Sequence, residues 1–266
     1  MRTETLKTRY DRDGFVVIPG FKSREAVAEL RARAMTFVEA FDPDEAISVA
    51  SSAEGAQAYF KASGDKIRCF LEDDAFDERG RLRRPKERSI AKIGQAMHVR
   101  DRVFERFSRD PGIHELIVEL GIEQPLLYQS MYIFKQPQIG SAVRWHHDAP
   151  YADDRPIPVT TLWFALECAD RGNGCLSVRR GGHVAQRPDT LTSEFVEVNP
   201  GAVVVMHGLL PHSSAPNRSE RSRDAYTLHV VGAREPWPPR SWYDPVAPPC
   251  PIVPPAKATP SERFAR

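Results

Sequence analysis

The sequence predicts a mainly β protein with flanking helices, and three observations point there. Beyond residue 125 the chain falls into short runs rich in β-branched and aromatic residues, separated by turn signals. Before residue 125 apolar residues recur at helical spacing. The length, 266 residues, suits one large unit, and β sandwiches and barrels often use about this many residues as a single domain. A protein of this size buries a sizeable core and needs no disulfide or metal merely to fold.

Residues 4–12 are polar and charged and read as a short helix. Residues 14–20 (GFVVIPG) are a short apolar strand bracketed by glycines. Ser23 is placed to cap a helix with Glu25 in its first turn, and Val27, Leu30, Ala34, Phe37, Val38 and Phe41 give it one apolar face. Residues 42–57 are polar and read as a surface loop. Residues 63–71 read as a turn entering a strand, and residues 76–80 (FDERG) as a turn. Residues 90–97 read as a helical patch, and Val103, Phe107, Ile113, Leu116, Ile117 and Leu120 continue that spacing. Strands are expected at 126–134, 159–168, 175–178, 195–198, 202–206 and 226–231, with Asn173-Gly174 as a hairpin turn and Gly181-Gly182 as another bend. Many short strands between turns argue for a sandwich or barrel. Prolines exclude the last segment from central strand or helix, so it is expected to wrap the surface on Trp237 and Trp242. The expected organisation is one domain over 1–245, with a helical and strand part (1–124), a β core (125–233) and a proline-rich tail (246–266).

The charge balance, 37 basic against 36 acidic residues, excludes a strong field for nucleic acid or anionic membrane. No apolar run approaches the roughly 18 residues of a spanning helix. The N-terminal residues show no signal-peptide core, so a cytoplasmic protein is expected. The four cysteines form no CxxC pair and read as reduced packing residues.

The chemistry concentrates in Arg144-Trp-His-His-Asp148. On a strand, His146 and Asp148 point to one face and His147 to the other. An imidazole and a carboxylate on one face are half of the two-histidine, one-carboxylate triad that leaves open positions on a non-haem iron. Alone the pair is weak, because H-x-D arises by chance in roughly every second sequence of this length. A third ligand would come from a distant strand, and His212 follows the apolar run 202–206. Arg223 comes eleven residues later and opens the next strand. Its planar fork suits a carboxylate such as the distal one of 2-oxoglutarate.

H-x-D, NG-C-L, G-x-H, and H-S-x-x-x-N-x-S with an arginine eleven after the histidine occur in the order of the phytanoyl-CoA dioxygenase family, which the sequence resembles. The opening DGFVVIPGF is similar too. The segments YFKASGDKIRCFLED, SIAKIGQAMH, QSMYIFKQP and RSRDAYTLHVV resemble one branch of it. The likeness covers roughly residues 10–245. It implies a jelly-roll core (a double-stranded β-helix, cupin-like) with helices on its major sheet. It implies Fe(II) on His146, Asp148 and His212, and 2-oxoglutarate contacts at Lys92, Met131, Trp163, Ser214 and Arg223. It implies an oxidoreductase that uses O2 to hydroxylate a small molecule and releases succinate and CO2.

Related halogenases lose the carboxylate ligand, so Asp148 favours hydroxylation over halogenation, with desaturation, epimerisation and cyclisation left open. Two readings of other classes stand beside it: a non-catalytic jelly-roll binding protein, and a zinc hydrolase on the same triad. Where the family often has H-Q-D, this sequence reads H-H-D, which makes His147 the competitor if the register slips by one. The family's I-P-G-S-H is here Val178-Arg-Arg-Gly-Gly-His183, and the short stretch after it suggests a reduced lid. Arg144, Arg179 and Arg180 fall near the expected mouth, either as solvated cations or as readers of an anionic group on the substrate. The substrate itself is not legible.

Overall fold

The computed structural model describes residues 4–44, 58–149, 151–152, 155–186, 188–234 and 249–252. Helix α1 (Leu6–Asp13) is capped by the Thr5 side chain, and Gly14 closes it in the left-handed conformation (φ 79°). Strand β1 (Phe15–Ile18) follows. Ser23 caps α2 (Arg24–Ala40), which buries Val27, Leu30, Ala34 and Val38 at the expected spacing. Strand β2 (Ile67–Leu71) and β3 (Ile90–Gln95) pair antiparallel.

The second of these corrects an expectation. Residues 90–95 are strand, and only α3 (Met97–Arg100) is helical. The run IAKIGQ is short, and periodicity cannot separate strand from buried helix at that length. Helices α4 (Arg102–Ser108) and α5 (Pro111–Glu119) follow, capped by Asp101 and Asp110.

The remaining strands are β4 (Pro125–Ile133), β5 (Val143–His146), β6 (Tyr151–Ala152), β7 (Arg155–Pro156), β8 (Val159–Ala165), β9 (Leu176–Val178), β10 (Glu194–Val196), β11 (Val203–His207), β12 (His212–Ser214), β13 (Ala225–Gly232) and β14 (Cys250–Pro251). With β1 to β3 they form a large antiparallel sheet, ordered β1-β11-β8-β13-β4-β3-β2 with β14 also on β4, a smaller sheet ordered β10-β9-β12-β5, and a two-stranded pair of β6 with β7. Strands β1 to β3 thus belong to the large sheet.

Alternation along the strands sorts the core into two layers. Leu162, Phe164, Val203, Val205, Tyr226 and Leu228 pack outward against α2, α4 and α5. Trp163, Ala165, Val204, Met206 and Ala225 point inward to meet Leu176 and Val178 of the small sheet. Strand β8 is buried along its whole length because helices cover one face and the second sheet the other. Two sheets face to face with helices on the larger one are the expected jelly roll.

Two further expectations change. Asn173-Gly174 closes no hairpin: β8 and β9 lie in different sheets. Asp170 caps a single 3-10 turn there, and Gly174 leaves it at φ 79°, with space for no Cβ because Ala215 O would lie 2.5 Å away. The tail also does more than wrap the surface, since Cys250–Pro251 pairs with β4 and Ile252 is fully buried in the outer core layer. Trp237, Trp242 and residues 45–57 lie outside the described residues. The cysteines are free, and Cys69, Cys175 and Cys250 are buried.

Candidate active site

Strand pairing brings the two histidines together. β5 is the edge of the small sheet and pairs with β12 so that His146 stands opposite His212, with ring centres 4.2 Å apart. A register shift lies between His212 and Ser214, so both Val143 and His146, three residues apart, line the cavity. Asp148 lies two residues beyond the end of β5, outside the strand ladder. His146 Nε2 is 3.6 Å from Asp148 Oδ1, and His212 Nε2 is 3.7 Å from Oδ2. The three ligand atoms lie within 4.8 Å of one another.

The protonation pattern suits a cation. Each imidazole has its Nδ1 on the carbonyl two residues back: His146 on Arg144 O at 2.8 Å, His212 on Leu210 O at 2.9 Å. A carbonyl only accepts, so Nδ1 donates and Nε2 keeps its lone pair. Burial pushes His212 down, towards the neutral ligand form. Burial works against charge on Asp148, yet the imidazoles of His212, His146 and His229, when protonated at Nε2, hold its carboxyl well below the usual range. Against burial, Asp148 in turn raises His146, so a positive charge is favoured where the three meet. The Thr161 hydroxyl donates to Asp148 Oδ2 at 2.6 Å.

The cavity between the sheets encloses about 80 Å³. The triad lies at one end and Arg223 at the other, with Met131, Trp163 and Thr227 on the wall of the large sheet and Ser214 on the small one. Met131, Thr227 and Trp163 form one row across β4, β13 and β8. Arg223 is buried (2 % exposed) with its guanidinium 5.2 Å from the Trp163 ring. Its Nη2 donates to Ser214 Oγ at 3.4 Å, while Nε and Nη1 have no partner among the described residues. Burial lowers Arg223 to about 10, so it stays cationic at neutral pH. A buried cation with unpaired donors on a cavity wall is an anion site, and a carboxylate fits such a guanidinium.

Other expected residues fall elsewhere. Lys92 sits on strand β3, not on a helix, with its ammonium 4.7 Å from the Phe60 ring centre and 5.4 Å from that of Phe70. It is not among the residues lining the cavity, although its neighbour in register, Ile133, is. Arg180 is spent on Asp13 and Glu194, at 2.5 and 2.8 Å. Arg179 stacks on Trp145 at 4.5 Å, and Arg144 is exposed on β5. None of the three lines the cavity. His147 is exposed and outside the triad.

Sequence reasoning misses Thr161, Thr227 and His229. Two of them share a face with a neighbour two residues away, Thr161 with Trp163 and His229 with Thr227, so period-2 reading around Trp163 carries part of that signal.

Fold and site together define an oxidoreductase of the non-haem, 2-oxoglutarate-dependent oxygenase type. The family model "Phytanoyl-CoA dioxygenase (PhyH)" matches residues 10–225, and the chain belongs to that family. Phytanoyl-CoA dioxygenase domain-containing protein 1 of Bos taurus is 37% identical over 89% of this chain and 93% of its own length. Phytanoyl-CoA dioxygenase 1 of Oryza sativa subsp. japonica is 36% identical over 91% and 94%. Among solved structures, the epimerase SnoN in complex with Fe3+, alpha ketoglutarate and nogalamycin RO is similar at a TM-score of 0.62 and 16% identity, covering 92% of this chain and 93% of that one. EctD from S. alaskensis with 2-oxoglutarate and 5-hydroxyectoine is similar at 0.62 and 19%, covering 86% and 76%. These two share the fold. No helix among the described residues is long and apolar enough to cross a membrane.

Proposed function

We propose that the protein is an Fe(II)- and 2-oxoglutarate-dependent dioxygenase that hydroxylates a C–H bond of a small-molecule substrate. The observation that carries this is the pairing, in one small cavity, of the His146–Asp148–His212 triad with an arginine that has two donors without an acceptor among the described residues. A bare metal site, as in a hydrolase, has no need of that arginine.

His146, Asp148 and His212 would hold Fe(II) through two neutral Nε2 atoms and one carboxylate oxygen. Arg223 would bind the distal carboxylate of 2-oxoglutarate with its guanidinium, with Ser214 fixing Nη2. Met131, Trp163 and Thr227 would flank the carbon skeleton and keep water from it. A part for Lys92 requires its ammonium to turn from the two phenylalanine rings into the cavity. When bound, iron and 2-oxoglutarate supply the activation of O2, with succinate and CO2 released. A cavity of about 80 Å³ holds little beyond the co-substrate, so the substrate would approach from the His146 side, where β5 is exposed. Arg144 lies on that exposed strand, whereas Arg180 is held in ion pairs and Arg179 rests on Trp145.

The test is anaerobic titration of the apo protein with Fe(II) and 2-oxoglutarate. A metal-to-ligand charge-transfer band in wild type that is lost in Arg223→Met supports the reading. No band in wild type would leave a jelly-roll binding protein. Succinate release against a panel of small acids, amino-acid derivatives and phosphonates then reads the substrate class.

A further inference from the structure

A line of polar side chains crosses the large sheet at the level of the triad and ends on its carboxylate. His229 of β13 stands in register with Gln129 of β4 on one side and Thr161 of β8 on the other. All three are at most 2 % exposed. They are polar groups buried inside the sheet sandwich, where an unsatisfied one costs about 1–3 kcal/mol.

Their hydrogen bonds run in one direction. The Phe60 carbonyl can only accept, so Gln95 donates to it through Nε2 at 2.8 Å. That leaves Gln95 Oε1 to accept from Gln129 Nε2. Gln129 Oε1 therefore accepts from His229 Nδ1, at 2.5 Å. The relay orients both amides and the imidazole, and it turns His229 Nε2 to Asp148 Oδ2 at 3.6 Å. Thr161 Oγ1 donates to that same oxygen.

We propose that His229 is a positioning residue for the carboxylate ligand. With Nδ1 donating to Gln129, a neutral His229 carries no proton on Nε2, so the anchored ring is a wall 3.6 Å from Asp148 Oδ2 and the Thr161 hydroxyl supplies the hydrogen bond; together they fix the rotation of the Asp148 carboxylate at the metal. This rests on Asp148 being a ligand, as in the proposed function. Residues that orient metal ligands are typically worth 10–100-fold in metal affinity.

The experiment uses the apo protein and Co(II), without 2-oxoglutarate, so that it reads metal binding and not turnover. His229→Leu should weaken Co(II) binding about 10–100-fold and change the visible d–d spectrum of the bound ion. Gln129→Met, which keeps the imidazole but removes its anchor, should shift both in the same direction by less. A folded His229→Leu protein with wild-type Co(II) affinity and spectrum overturns the proposal while leaving the metal site intact. A wild type that binds no Co(II) overturns both. Should the variants not fold, the wild type decides. With 15N-histidine label, Zn(II) should perturb three imidazoles: His146, His212, and a third whose Nδ1 proton is protected from exchange. A response from only two overturns the proposal.

Discussion

Replacing Arg223 by methionine should abolish co-substrate binding and raise the stability of the apo protein together. Arg223 is buried with two unpaired donors, and burial holds its pKa at about 10. The drop from its ordinary value corresponds to about 3 kcal/mol against the charged form in the folded state. The sign follows from linkage: the unfolded polypeptide binds the proton more tightly, so at neutral pH the charge destabilises the fold. Methionine restores most of the volume but loses the contact with Trp163, worth about 1 kcal/mol. The net gain is about 2 kcal/mol, or roughly 5 °C in Tm for a protein of this size. On the binding side, two charge-assisted hydrogen bonds amount to about 4 kcal/mol, roughly a thousandfold in Kd. The assay is thermal unfolding of apo and Co(II)-loaded protein with and without 2-oxoglutarate. The wild type should gain stability from 2-oxoglutarate, and Arg223→Met should start higher and gain none. A variant less stable than wild type that still responds to 2-oxoglutarate would refute the reasoning.

His212→Ala should lower Co(II) affinity by more than roughly a hundredfold, measured by titration, because one of three ligands is gone and its bond to Leu210 with it. Gly174→Ala should destabilise the fold by at least about 2 kcal/mol in denaturant titration, since φ is 79° and a Cβ would meet Ala215 O at 2.5 Å. Two buried groups should leave opposite marks on stability against pH. Burial and Glu167 raise Asp224 to about 7, so it loses stability as pH rises from about 4 to 7, and Asp224→Asn should flatten that slope. Burial and Arg223 lower Lys135 to about 7, so stability recovers from about pH 7 to 10, and Lys135→Met should remove that rise. Each is read as the difference between variant and wild type across the range.

Much of the fold was legible because its signals are local. The cap at Ser23, the apolar face of Arg24–Ala40 and the β-rich runs after residue 125 depend on neighbours a few residues away. His146, Asp148, His212 and Arg223 were legible as spacing and as a family pattern. What failed was what depends on distant partners. Residues 90–95 have no helix–strand preference of their own, and pairing with β2 and β4 made them strand. Asn173-Gly174 could have closed a hairpin, but Leu176–Val178 found its partners in the other sheet. Arg180 looked free until the fold set Asp13 and Glu194 beside it.

The sequence by itself determined the residue types of the triad, the arginine eleven residues after His212, and a β core with helices, because composition and period are written in single residues. Only the tertiary structure decided that His146 faces His212 across two strands, that Asp148 beyond the strand end meets both of them, and that His229 and Thr161 stand against its carboxylate. The physical reason is that registry between strands is settled by burial on both faces of a sheet, which brings together residues as far apart as Gln129 and His229.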